Sequence, residues 1–132
     1  MRSGGIIHPE LARVMASLGH LDRLCVADAG LPIPPGVVRI DLAYRLGQPG
    51  FIDVVEALAA ELVIEEVTMA EEASIYCPVV VAAVRGAFAT ASARAVPHEN
   101  FKKEVAGVCA VVRTGETTPY ANVILTSGVP FA

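Results

Sequence analysis

Short, continuous apolar runs alternate along this chain with segments of helical period, and that alternation restricts the fold more than any other feature. Val37–Leu42, Val63–Met69, Ala93–Val96, Val108–Val112 and Tyr120–Leu125 read as strands, as does the brief run Leu24–Ala27. A strand that is apolar at every position needs cover on both faces, which a parallel sheet between helices provides. Between the runs lie the helical segments. Leu11, Val14, Met15 and Leu18 share one face from Pro9 to Leu18, with Pro9 suited to a first turn and Gly19 to a stop. Pro49 opens a second stripe of Phe51, Val54, Val55, Leu58 and Leu62, Pro78 to about Ala91 predicts a third helix, and His98–Val105 predicts a short polar fourth closed by Gly107. The reading is an α/β fold: a single layered domain over residues 1–132, with a largely parallel mixed sheet flanked by helices.

Composition then removes whole classes of function. Hydrophobic residues make up 54% of the 132 and charged ones 18%, more apolar matter than a monomer of this size needs for its core, so a homo-oligomer is expected. No window approaches the roughly 18 uninterrupted apolar residues of a membrane span, since Val79–Val84 stops at Arg85. The opening Met1–Ile7 is too short an apolar stretch for a signal peptide. Together these predict a cytoplasmic protein with no membrane partner. Three cysteines, Cys25, Cys77 and Cys109, are too dispersed for a zinc cluster and read as small core residues. A net charge of −4 with scattered basic residues gives no footprint for nucleic acid.

Familiar catalytic signatures do not occur. The chain has no G-x-S-x-G elbow, no P-loop and no G-x-G-x-x-G fingerprint. Glu65-Glu66 and Glu71-Glu72 are adjacent pairs, and neighbouring strand residues face opposite ways, so neither makes two opposed carboxylates for glycoside chemistry. What the sequence offers is a dispersed set of polar residues. His20 stands in a loop between the first helix and first strand, where a histidine is either a plain surface residue or a proton carrier near neutral pH. Asp28 follows the first strand, at the carboxyl end where open α/β sheets bind ligands; it equally suits a turn carboxylate in the Gly-Pro loop that follows. His98 and Lys102, four apart on the short helix, share a face that points either at a ligand or at solvent. Tyr120 and Asn122, two apart on the predicted last strand, project to one side, as hydrogen-bonding partners of sugar hydroxyls or as a pair at a wet strand edge.

Leu18-Gly19-His20 with Asp22, Asp28-Ala29-Gly30-Leu31-Pro32, Arg39-Ile40-Asp41-Leu42, Gly47-Gln48-Pro49-Gly50-Phe51, His98-Glu99-Asn100-Phe101-Lys102, and Arg113-Thr114-Gly115-Glu116 through Pro119-Tyr120-Ala121-Asn122 run almost end to end along the chain. On these stretches the sequence resembles the ribose pyranase and fucose mutarotase family, and more closely its ribose branch. The resemblance implies a cofactor-free, metal-free isomerase that interconverts pyranose and furanose forms of D-ribose by acid–base ring opening. It implies that His20 is the proton donor and that Asp28, His98, Lys102, Tyr120 and Asn122 line the sugar pocket. It also implies a decamer of two stacked pentameric rings with pockets between neighbouring subunits. Fucose mutarotation and non-catalytic ribose binding are the rival expectations.

Overall fold

The computed structural model describes all residues, 1–132. Six strands form one sheet: β1 (Arg23–Ala27), β2 (Val38–Asp41), β3 (Ile64–Ala70), β4 (Ser92–Val96), β5 (Ala110–Arg113) and β6 (Val123–Ser127), in the spatial order β2-β5-β1-β6-β3-β4. The pairs β1–β5, β2–β5 and β3–β4 are parallel, while β6 runs antiparallel to both of its neighbours, β1 and β3. The expected mixed, largely parallel sheet is therefore present, with one reversed strand at its centre.

The helices are α1 (Pro9–Ser17), α2 (Phe51–Ala59), α3 (Ala73–Tyr76), α4 (Pro78–Ala87) and α5 (His98–Glu104), the last continued by a single 3₁₀ turn, Val105–Gly107. Helix α1 begins where His8 accepts the Leu11 N–H through Nδ1 at 3.3 Å. The second helix starts two residues later than Pro49 suggested, with Gly50 in extended backbone as its cap. The alanine- and valine-rich segment is indeed helical, but it is preceded by α3, which the pattern does not announce.

The two faces of the sheet are covered unequally. Side chains from Leu24, Val26, Ile40, Val112, Val123 and Leu125 point to one face, where α1, α2, α3 and α4 bring Leu11, Phe51, Leu58, Ala73 and Val84 against them. On the other face Cys25, Val111 and Ile124 meet a smaller set, Phe101 and Val105 from the α5 segment with Leu31 and Val108 from loops, edged by Ile33, Val37 and Val96. Cys25 and Cys77 are core residues as expected, but Cys109 is exposed, because it precedes β5 rather than lying inside it.

One glycine is required by a close approach of backbone. Gly115 donates to the Pro49 carbonyl at 2.9 Å and accepts from the Gly47 N–H at 2.6 Å. A Cβ there would fall 2.5 Å from both the N and O of Gln48 and 2.7 Å from the Arg45 O, all backbone atoms that cannot swing aside. Gly115→Ala is predicted to cost about 2 kcal/mol or more through this overlap, read as a lowered urea midpoint at unchanged slope.

Candidate functional site

The carboxyl ends of the parallel strands converge on one cleft of about 590 Å³, within the small-molecule range of about 300–1,000 Å³. The loop after β1 supplies Asp28, Ala29, Gly30, Leu31 and Pro32; the end of β5 supplies Arg113, and the segment after it Glu116, Thr117, Thr118, Pro119 and Tyr120. The first residue of α5 supplies His98, and Leu46 stands at the rim. This is where an open α/β sheet places its ligands.

Asp28 owes its position to Asn122. The Asp28 N–H donates to Asn122 Oδ1 at 2.8 Å, and the Asn122 amide donates back to Asp28 Oδ2 at 3.1 Å, while Asp28 Oδ1 accepts from the Gly30 N–H at 2.9 Å. Asn122 is only 1% exposed and is spent on this pairing. The expectation that Tyr120 and Asn122 project together from one strand is corrected here. β6 begins at Val123, and Tyr120 sits in a turn with φ of +66°, so the two side chains part: Asn122 goes beneath Asp28 and Tyr120 to the cleft wall. A positive φ at a non-glycine residue is uncommon, and here the Asn122 N–H bond to the Tyr120 carbonyl at 2.9 Å closes the turn that holds it.

His98 is held through its backbone and its ring faces. Both Glu72 carboxylate oxygens accept its N–H, at 3.1 and 3.2 Å. The ring meets Tyr120 edge-on at 4.9 Å between centroids, and Tyr76 stacks on Tyr120 at 5.3 Å, forming an aromatic wall. Nδ1 of His98 is buried and has no hydrogen-bond partner in the chain. Lys102, one turn further along α5, does not line the cleft and is instead paired with Glu99 at 2.8 Å.

Arg113 and Glu116 belong to a stretch that carries the family resemblance, but neither is singled out there as a site residue. Arg113 lines the cleft while its guanidinium bridges to Asp41 at 3.0 and 3.2 Å and to the Ala29 carbonyl at 3.1 Å. Glu116 accepts the Phe51 N–H at the start of α2, at 3.0 Å, and both the hydroxyl (2.8 Å) and N–H (3.2 Å) of Thr118, while its carbonyl accepts from Ala29. Burial pushes the Glu116 carboxyl up, but these donors together with the Thr117 N–H outweigh it and hold the group below the usual carboxylate range.

His20 lies elsewhere. It precedes β1, whereas Asp28 follows it, so five strand residues at about 3.3 Å each, roughly 16 Å, separate the two positions. Its ring is exposed and pairs through Nε2 with Glu65 at 3.1 Å. Within one copy of the chain, His20 therefore cannot reach the cleft that holds Asp28, His98 and Tyr120.

Fold and cleft together define an α/β protein with a small-molecule site at the carboxyl ends of its strands. The model of the RbsD / FucU transport protein family matches residues 1–130, and the chain belongs to this family. It is 47% identical over 131 residues to the D-ribose pyranase of Bacillus licheniformis and equally so to that of Laribacter hongkongensis, covering 99% of this chain and all of each relative. Among solved structures, Bacillus subtilis RbsD complexed with D-ribose superposes with a TM-score of 0.95 at 41% identity, over 99% of this chain and all of that one. The fucose mutarotase of Streptococcus pneumoniae in complex with L-fucose shares the fold, with a TM-score of 0.79, 22% identity and 95% of each chain covered.

The Glu116 geometry carries a pH prediction. A carboxyl held below its ordinary value stabilises the fold above the unfolded-state value and loses that contribution as pH falls through the folded one. Glu116→Ala is predicted to lower stability by about 1–2 kcal/mol at neutral pH, with the gap from the unsubstituted protein closing as the solution is acidified below the usual carboxylate range. Urea denaturation across pH checks both.

Proposed function

We propose that this protein is a D-ribose pyranase, interconverting the six- and five-membered ring forms of D-ribose through the open-chain aldehyde. The observation that carries the reading is the full-length identity of 45–47% to D-ribose pyranases, on a chain whose cleft presents Asp28, His98 and Tyr120 at the carboxyl ends of the strands.

The chemistry asks little of the site. To open the pyranose, an acid gives a proton to the ring oxygen as its bond to the anomeric carbon breaks, and a base takes the proton of the anomeric hydroxyl as the carbonyl forms. Reclosure attacks the same carbon with the C4 hydroxyl and returns both protons. We assign proton donation to His20, and hydroxyl binding with proton acceptance to Asp28 and His98. Tyr120 adds an aromatic wall and a phenol, Asn122 acts by fixing Asp28, and Lys102 reaches the sugar by leaving Glu99. No step requires a metal or redox cofactor.

Because His20 is at the far end of β1, the reading needs His20 of a neighbouring copy at each cleft. Exposed apolar side chains support such an assembly: Leu21, beside His20, is 60% exposed, and Ile75, Tyr76 and Val79, beside the aromatic wall, are 75%, 67% and 73% exposed. The same reading takes the protein to be cytoplasmic and the assembly to be two stacked pentameric rings, with D-ribose as the ligand and neither nucleic acid nor membrane as a partner. No helix of the structure is long and apolar enough to cross a membrane.

His20→Ala is predicted to slow exchange between ribose forms, followed by saturation-transfer NMR, by about 10²–10⁴-fold while the sedimentation of the assembly stays the same. L-fucose run in parallel is predicted to exchange far less well than ribose. An unaltered ribose rate in the variant removes His20 from the mechanism, and a preference for fucose reassigns the enzyme.

A further inference from the structure

The contact between His20 and Glu65 has more built around it than its exposure explains. The two side chains are 55% and 43% exposed, and an ion pair in that setting adds little stability. Yet the backbone on both sides is arranged to make it. Glu65 is the extra residue of a β-bulge: Ile64 pairs with Ser127 and Glu66 with Thr126, leaving Glu65 without a partner opposite, and bulges of this kind re-aim a side chain. The Ser92 hydroxyl donates to the Glu65 carbonyl at 3.2 Å, fixing the bulge from the other side.

The histidine is clamped as tightly. Leu21 takes φ of +71°, its N–H donates to the Ser127 carbonyl at 2.9 Å, and the Ser127 N–H donates to the Asp22 carbonyl at 2.8 Å. Asp22 also accepts the Gly19 N–H at 2.8 Å, so the residues on either side of His20 are pinned. The ring then meets Glu65 through Nε2, and Nδ1 is left without a partner in the chain.

We propose that Glu65 is a positioning residue for the isomerisation: its carboxylate holds the His20 imidazole by Nε2–H, so that Nδ1 is the nitrogen that hands its proton to the sugar. This rests on His20 being the proton donor. A carboxylate on one imidazole nitrogen fixes the tautomer and the ring orientation, and so decides what the other nitrogen offers. When Nδ1 gives up its proton to the ring oxygen, the neutral ring that remains keeps its proton on Nε2, already hydrogen-bonded to Glu65. The returning proton then comes back to Nδ1, and the histidine neither rotates nor changes partner during turnover.

The test compares Glu65→Ala, Glu65→Gln and His20→Ala with the unsubstituted assembly, by saturation-transfer NMR over a range of ribose concentrations and by ¹⁵N spectra of the His20 ring. Glu65→Ala is expected to lower the maximal exchange rate about tenfold or more with KM unchanged, and to move the His20 ring signals toward a mixture of tautomers. Glu65→Gln, which keeps an acceptor oxygen, is expected to recover most of the rate and the Nε2–H tautomer. An unchanged rate in Glu65→Ala, a change confined to KM, or His20 signals that do not move overturns the assignment. If His20→Ala abolishes exchange while Glu65→Ala exchanges normally, only the role of Glu65 falls; if His20→Ala exchanges normally, the reading of His20 falls first and takes Glu65 with it.

Discussion

The antiparallel seating of β6 between β1 and β3 is the constraint on which the rest of this structure depends. Because β6 runs against its neighbours, its amino end arrives where β1 finishes and its carboxyl end arrives where β1 starts. At the first of these junctions Asn122 takes hold of Asp28 through a two-way hydrogen bond. At the second, Ser127 brackets Leu21 and Asp22, the neighbours of His20. A parallel strand in the same slot would have brought neither pair of ends together. One reversal of direction thus organises two separate polar sites at opposite edges of a single sheet.

Thr114 extends the first junction to β5. Its N–H and hydroxyl both donate to the Ala27 carbonyl, at 3.0 and 2.7 Å, and its hydroxyl accepts the Glu116 N–H at 3.2 Å. Glu116 in turn joins the start of α2 to the segment that ends in Tyr120. Buried side-chain bonds of this kind matter because a donor or acceptor removed from water and left unpaired costs about 1–3 kcal/mol. Beneath the cleft Thr114, Glu116, Asp28 and Asn122 satisfy one another, whereas the buried Nδ1 of His98 has no partner in the chain.

The strands and helices were legible because each follows from a local rule. Fully apolar Ala110–Val112 and Leu24–Ala27 demanded burial on both faces, and Phe51, Val54, Val55 and Leu58 made a stripe that only a helix presents to one side. Asp28 was legible as a candidate from its place after the first strand and His98 from its face of the short helix; both line the cleft, while Lys102, read from the same face, pairs with Glu99. The relation of Asn122 to Asp28 was not, since it joins residues 94 apart and turns on a strand that starts three residues later than its apolar pattern suggests. The role of Glu116 was not legible for the same reason: its partners Phe51 and Thr118 are ordinary residues until the fold brings their N–H groups to one carboxylate. Helix α3 is a single turn, too short for any periodicity to announce.

The stiffness of β1 bears directly on the role proposed for His20. A central strand paired on both sides cannot shorten or bend to bring its ends together, so two groups at those ends stay roughly 16 Å apart in every conformation that keeps the sheet. A sugar in the cleft and a proton donor at His20 are compatible only if the ends of β1 in different copies face each other. The distribution of exposed apolar side chains has that bias: Leu21 lies at one end of the strand, and Leu46 with Tyr76 at the other. Surface of that kind gains from being removed from water, by about 25 cal/mol per Å². On this reading the assembly supplies the half of the acid–base pair that a rigid sheet withholds from any single chain.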